Sequence, residues 1–322
     1  MEITTIDGKG FGAVVTSVKL SDLSDEEFAT IHATFLDRGF LVFPGQFLTE
    51  AENIAFGERF GPLEFGAAPM SNQRRGGDGS TGDVYDIDSQ IMRTNLGNEA
   101  WHTDSTYKPV SSKCAMLSAV IVPAEGGETE LADARAGYAA LDQETQHRIE
   151  GLSAYHSTQY SQANDLGDFP PIGENGPYGS VYHGEAFLRP LVKVHPETGV
   201  KNLFIGRHAF GIPGLGREES RELLRHLLEV VVSDETRTYL HRWQPGDTLI
   251  WDNRSVLHRA RPFDYAEPRY LIGTRVAGDD TELAYHPTDP EAEAGRRALA
   301  AELDRLRSET TDRRYRATTA TH

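Results

Sequence analysis

The stretch AWHTDSTY, residues 100–107, sets a histidine and a carboxylate two positions apart. In a strand or an extended turn, residues i and i+2 point to the same side. His102 and Asp104 can therefore present an imidazole nitrogen and a carboxylate oxygen to one point. A second histidine brought there from elsewhere would complete a face of two histidines and one carboxylate. Such a face leaves three coordination positions open, which suits Fe(II) holding a co-substrate and O2 together. Alone, the pair is weak evidence, and an incidental polar pair on a strand is the simpler reading.

Ten histidines remain besides His102 and His322. His32, His147 and His226 fall on expected helices, where a solvated face is the simpler reading. His156, His183, His208, His241 and His286 have no local ligand signature. His195, in HPETG, forms an i, i+2 pair with Glu197 and is a rival site, although Pro196 and Thr198-Gly199 also read as a hairpin turn. His258 is the outstanding candidate. It lies in GDTLIWDNRSVLHRARPFDYAEPR, which reads as a strand, a polar turn and a second strand leading toward Arg269.

The elements that must position these groups are mostly short strands. Residues 1–20 read as short strands. Ser24, with Glu27 three residues on, caps a helix whose Phe28, Ile31, Phe35 and Leu36 share a face; Gly39 stops it before the buried strand FLVFPG. A second helix is expected from about Thr49 to Phe60. Residues 64–98 have no period and are rich in Gly, Ser and Asn around AAPMSNQRRGGDGSTGD, so they read as a functional loop or lid. From Ala100 to about Ala277 strands dominate, with turns at EGGE and HPETG. One helix interrupts, from about Arg217 to Val232, with Leu223, Leu224, Leu227, Leu228 and Val231 on one face. Many short strands with a single long helical insertion suggest a double-sheet barrel or sandwich. Past Gly278 the composition changes. Asp289-Pro290 opens a helix with a narrow stripe of Leu299, Leu303 and Leu306, and the tail TTDRRYRATTATH is expected to fray. Residues 1–280 are thus expected to be one catalytic domain, and residues 281–322 a helical extension.

Bulk properties narrow the partners. The chain has 322 residues and a net charge of −17, a sign that repels phosphate backbones and argues against nucleic acid. Cys114 is the lone cysteine, so no intramolecular disulfide can form, which fits a reducing cytoplasm. No signal peptide is expected at the N-terminus. No apolar run approaches the roughly 20 residues of a membrane span. A homo-oligomer is a weak expectation on general grounds.

WHTDSTY, GGETEL and WDNRSVLHRARPFDYAEPR together resemble the taurine and 2,4-dichlorophenoxyacetate dioxygenase family, over residues 8 to 278. Within it, YHSTQYSQ, LRPLVKVHPETG, IGRHAFGIPG and WQPGDTLIWDNR look most like the bacterial aryloxyalkanoate dioxygenases. The resemblance implies a double-stranded β-helix of the jelly-roll type, mainly β with flanking helices. It also implies Fe(II), 2-oxoglutarate and O2, with succinate and CO2 as co-products. His102, Asp104 and His258 match the family's iron ligands. Arg269, eleven residues after His258, and Thr129, twenty-seven after His102, match the groups that hold the distal carboxylate of 2-oxoglutarate. Asn98 and Trp251 fall where the family lines the iron pocket, although ordinary core packing is an open reading for both. Charge supports Arg269 independently: Fe(II), Asp104 and 2-oxoglutarate leave a buried negative charge, which requires a cation beside it.

One departure bears on substrate. Taurine-oxidising members grip the sulfonate with an arginine at a position that here is Gly273, and the next arginine is Arg275. Taurine itself is therefore a poor expectation. An aryloxyalkanoate would need an apolar slot and a cation for its carboxylate. Arg275, Arg207 and Lys108 are the expected cations, with Ser105 as a further contact, although a salt bridge with another side chain is an open reading for Arg275. An alkylsulfonate or an amino-acid-like acid is the alternative within the same chemistry, and a non-oxygenase metal-binding jelly roll is the alternative from another class.

Overall fold

In the computed structural model, the described residues are all but 76–80, 174, 177–178, 285–288 and 320–322. Their main sheet has seven strands, in the spatial order Glu2–Thr5, Ala13–Thr16, Phe40–Phe43, Thr248–Asp252, Cys114–Ile121, Tyr270–Val276, Leu63–Ser71. Every pairing is antiparallel except that of Ala13–Thr16 with Phe40–Phe43. A three-stranded sheet has Thr129–Asp133 between Thr238–His241 and Val256–Ala260.

Alternation along the strands decides what each layer buries. In Thr248–Asp252, Ile250 joins a core with Phe35, Phe56 and Phe60, on the face covered by the helices Asp25–Arg38 and Glu50–Glu58. Its neighbours Leu249 and Trp251 point the other way, into a core with Leu131 and Val256 of the smaller sheet. The outer face of that smaller sheet, through Ala132 and Leu257, meets Leu223, Leu227 and Val231 of the helix Arg217–Val232. The chain is therefore mainly β with flanking helices, and the two sheets enclose a common interior. No helix among the described residues is long and apolar enough to cross a membrane.

Local signals held where they were strong. Ser24 and Glu27 make both bonds of a capping box, and Gly39 ends the helix in a left-handed conformation with φ 78°. The expected hairpin at HPETG joins Val192–Val194 to Lys201–Leu203.

Two expectations need correction. Residues 64–98 are not a structureless loop. Leu63–Ser71 is the edge strand of the main sheet, Gln73–Arg75 pairs with Thr81–Val84, and Gln90–Gly97 is a helix capped by Ser89. The strand was hidden because Gly66, Ala67 and Ala68 give its centre no apolar–polar alternation and because it carries Pro69, which within sheets is confined to edges, strand starts and bulges. Residues 76–80 lie outside the described ones. The second correction concerns the tail: the helix Asp289–Thr319 continues through most of the segment expected to fray. Leu299 and Leu306 are buried with Tyr160, Ala163 and Phe210 of the same chain. His286 lies outside the described residues.

Candidate metal and co-substrate site

His258 faces inward because it shares the face of Val256 in its strand. His102 meets it through an isolated antiparallel bridge. The His102 N–H donates to the His258 carbonyl at 3.0 Å, and the His258 N–H returns the bond at 2.9 Å. The two rings lie 4.2 Å apart. With Asp104 they form the one group of three His, Cys, Asp or Glu side chains among the described residues able to hold a metal, with ligand atoms within 4.8 Å of one another. All three are buried. Asp104 Oδ2 has no hydrogen-bond partner although buried, and His258 Nε2 stands 3.6 Å from it. A buried carboxylate oxygen left unpaired beside two imidazoles is what a divalent cation would satisfy.

The imidazoles are held neutral, as ligation requires. Burial, reinforced by His258, pushes His102 down to about 3. Burial pushes His258 down to about 4 against the pull of Asp104. For Asp104, burial acts to raise the carboxyl, but Arg275 and the two histidines outweigh it and hold it below its ordinary value. His102 Nδ1 is tied to the Ala100 carbonyl at 2.8 Å, which leaves Nε2 for the ion.

These shifts carry a stability prediction. His102, His258, His156 and His208 all have folded-state values below the ordinary 6.5, in each case chiefly through burial. The unfolded chain therefore binds more protons as pH falls below 6.5, so stability is complete above that value and is lost progressively toward pH 4. Melting of the metal-free protein in steps from pH 8 to pH 5 should show a plateau and then a steady fall. A melting temperature that does not move below pH 6.5 would contradict the neutral, buried imidazoles.

Arg269, immediately before the strand Tyr270–Val276, and Gly273 and Arg275 within it all line the cavity around the triad. Arg269 donates to the Gly127 carbonyl from Nε at 3.2 Å and from Nη2 at 3.0 Å. Gly127 has φ 69°, a conformation that strains other residues, and a Cβ there would press on Arg269 Nε at 3.2 Å, so the position favours glycine. Thr129 lines the same cavity, and its hydroxyl accepts the Trp243 indole N–H at 3.1 Å. The hydroxyl hydrogen is thereby left to donate elsewhere. Asn98 and Trp251 also line the cavity, and the Trp251 ring lies 4.5 Å from that of His258.

The expected substrate contacts fare differently. Arg275 lines the cavity, but its Nη2 donates to Asp104 Oδ1 at 2.6 Å and its Nη1 to Ser105 Oγ at 3.2 Å. It is thus engaged with the candidate ligand and is not held ready for a substrate anion. Lys108 and Ser105 do not line the cavity. The Ser105 hydroxyl donates to the Glu64 carboxylate at 2.8 Å, and the Lys108 ammonium pairs with the same group. The physical reason is the edge strand missed in the sequence, which brings Glu64 beneath both. Arg207 lines the cavity with its Nε bonded to Asp165 at 2.8 Å. The rival pair His195 and Glu197 is used up by other partners: His195 Nε2 hydrogen-bonds Asp252 at 2.9 Å, and Glu197 accepts from Arg254 at 2.7 Å. Sequence reading missed Glu64, Trp243 and Asn253. Glu64 and Trp243 act through partners far along the chain, and Asn253, although two positions from the Trp251 it bonds, meets Asp104 only in the folded structure.

A family profile described as taurine catabolism dioxygenase TauD, TfdA family matches residues 2–275. The chain is 48% identical over 280 residues to a (S)-phenoxypropionate/alpha-ketoglutarate-dioxygenase of Sphingobium herbicidovorans, an alignment covering 85% of this chain and 96% of that one. It is 42% identical over 284 residues to a protein of the same description from Delftia acidovorans, covering 85% and 94%. Among solved structures, that of AAD-2 in complex with Mn(II) and N-oxalylglycine superposes with a TM-score of 0.78 at 33% identity, covering 88% of this chain and all of that one.

Proposed function

The chain belongs to the taurine catabolism dioxygenase TauD, TfdA family, and from that premise we propose that it oxidises a small aryloxyalkanoate at the carbon beside the ether oxygen. It is a 2-oxoglutarate-dependent non-haem iron dioxygenase, using Fe(II), 2-oxoglutarate and O2. We read its two facing sheets as a double-stranded β-helix, residues 1–280 as the catalytic unit and residues 281–322 as an extension. The lone buried Cys114 and the net charge of −17 support a cytoplasmic enzyme acting on a small molecule and not on nucleic acid.

One observation carries the site assignment: His102, Asp104 and His258 converge in the cavity that Arg269 and Thr129 also line. His102, Asp104 and His258 are the ligands of Fe(II). Bound there with 2-oxoglutarate and O2, the ion supplies the oxidising power to hydroxylate an unactivated C–H, with succinate and CO2 released. Arg269 holds the distal carboxylate of 2-oxoglutarate, and Thr129 donates to it because its own oxygen is occupied by Trp243. Phe65, Met70, Met92, Leu117, Val181 and Phe263 give the cavity an apolar wall that holds an aryl ring and keeps water out. Arg275 neutralises Asp104. The dication and Arg269 together then exceed the two carboxylates of 2-oxoglutarate by one positive charge, which a monocarboxylate substrate balances. Hydroxylation beside the ether oxygen gives a hemiacetal or hemiketal, whose collapse releases a phenol and an oxo acid.

The test is product analysis with Fe(II), 2-oxoglutarate and O2 over phenoxypropionates of both hands, phenoxyacetates, alkylsulfonates and amino acids. Phenol and succinate should appear in equal amounts with at least one aryloxyalkanoate. Succinate release driven by an alkylsulfonate or an amino acid, with no phenol from any ether, would overturn the substrate assignment.

A further inference from the structure

Asn253 sits in the turn between Thr248–Asp252 and Val256–Ala260, 1% exposed, and is bonded around both ends of its amide. Its Oδ1 accepts the Asp104 N–H at 3.3 Å and the Trp251 indole N–H at 3.0 Å. Its Nδ2 donates to Ser112 Oγ at 2.7 Å, and that hydroxyl donates to the Asp104 carbonyl at 3.4 Å. One side chain therefore grips the main chain of Asp104 on both sides. It also fixes the rotation of the indole that lies against the His258 ring. The Asn253 N–H donates to the Lys113 carbonyl at 3.1 Å, so the amide itself is anchored to the segment following Asp104.

We propose that Asn253 is the positioning residue of the metal face, holding Asp104 directly and His258 through Trp251 before an ion arrives. The inference rests on the metal assignment given above. Asn253 touches neither ion nor substrate; it acts by fixing where the ligands stand. Ligands whose supporting hydrogen bonds are removed typically lose about 10–100-fold in metal affinity. An alanine here leaves two buried N–H groups without an acceptor, and Asp104 turns to find others. An aspartate keeps both acceptor positions, and the Ser112 hydroxyl can reverse and donate to it.

The experiment is Mn(II) titration of the full chain, read from the electron paramagnetic resonance signal of the free ion, with circular dichroism as the check of folding. Wild type should bind one ion, Asn253→Ala should bind about 10–100-fold more weakly, and Asn253→Asp, which keeps the acceptor oxygen but draws the Ser112 hydroxyl off the Asp104 carbonyl, should lose no more than Ser112→Ala does. If the wild type fails to bind Mn(II), the metal assignment falls, and with it this proposal. If wild type binds and folded Asn253→Ala binds equally well, Asn253 has no positioning role while the metal assignment stands. If Asn253→Asp is weakened as much as Asn253→Ala, the acceptor oxygen is not what matters and the proposal is wrong. Should Asn253→Ala not fold, Ser112→Ala cuts the hydroxyl link alone and should weaken Mn(II) binding several-fold. Unchanged affinity in that variant would overturn the proposal.

Discussion

Asp104→Ala is expected to abolish Fe(II)-dependent succinate release and to destabilise the metal-free protein as well. The two losses have different origins. The first removes the anionic ligand of the triad, whose Oδ2 is the unpaired oxygen of the site. The second comes from Arg275, which has only 11% of its side chain exposed and donates to Asp104 Oδ1 at 2.6 Å. Deleting one member of a buried ion pair leaves the other charge uncompensated, at a cost of about 3–5 kcal/mol. Contacts of Arg275 with Ser105 and Glu64 at 3.2 and 3.9 Å place the expected loss at the lower end of that range. His258→Ala should be equally inactive but should strand no charge, so its metal-free form should melt well above that of Asp104→Ala. Turnover assays and metal-free melting curves on the two variants decide the matter. Equal melting temperatures would show that the Arg275 pair contributes nothing to stability, and residual turnover in Asp104→Ala would remove Asp104 from the ligand set.

Arg269→Ala should raise the 2-oxoglutarate concentration needed for half-maximal turnover by more than about a hundredfold, the equivalent of roughly 3 kcal/mol. The guanidinium lies along the Gly127 carbonyl, in the cavity shared by Thr129 and the triad. Without it, the distal carboxylate would be buried with only a hydroxyl to meet it. The metal face does not depend on this residue, so Mn(II) affinity in the absence of 2-oxoglutarate should stay at the wild-type value. An unchanged 2-oxoglutarate requirement, or an equal loss of Mn(II) affinity, would defeat the assignment.

Much of the site was legible because its chemistry is written in short spacings. His102 and Asp104 are two apart, and His258 and Arg269 lie in one strand-turn-strand segment. Residue types and spacing single out His102, Asp104 and His258 as candidates, whereas the part given to Arg269 comes from the family resemblance. What they touch is another matter. Arg275 reads either as a substrate cation or as a salt-bridge partner until Glu64 and Asp104 are seen against it. Lys108 and Ser105 read as substrate contacts until the same glutamate captures them. Glu64 belongs to an edge strand whose proline and small central residues Gly66, Ala67 and Ala68 erase the two-residue period, so the sequence carried no sign of it.

Short-range signals along the chain set the helix caps, the turn at HPETG, the alternation that aims His258 and Trp251 inward, and the inventory of ligand-type side chains. These depend on neighbours within a few positions, where backbone sterics and hydrogen bonding act. The tertiary structure alone decided which charges pair and which stay available. Asn253 meets Asp104 across 149 positions and Arg275 meets it across 171. Such partners are selected by sheet register and by the need to neutralise every charge withdrawn from water, and neither leaves a periodic trace along the chain.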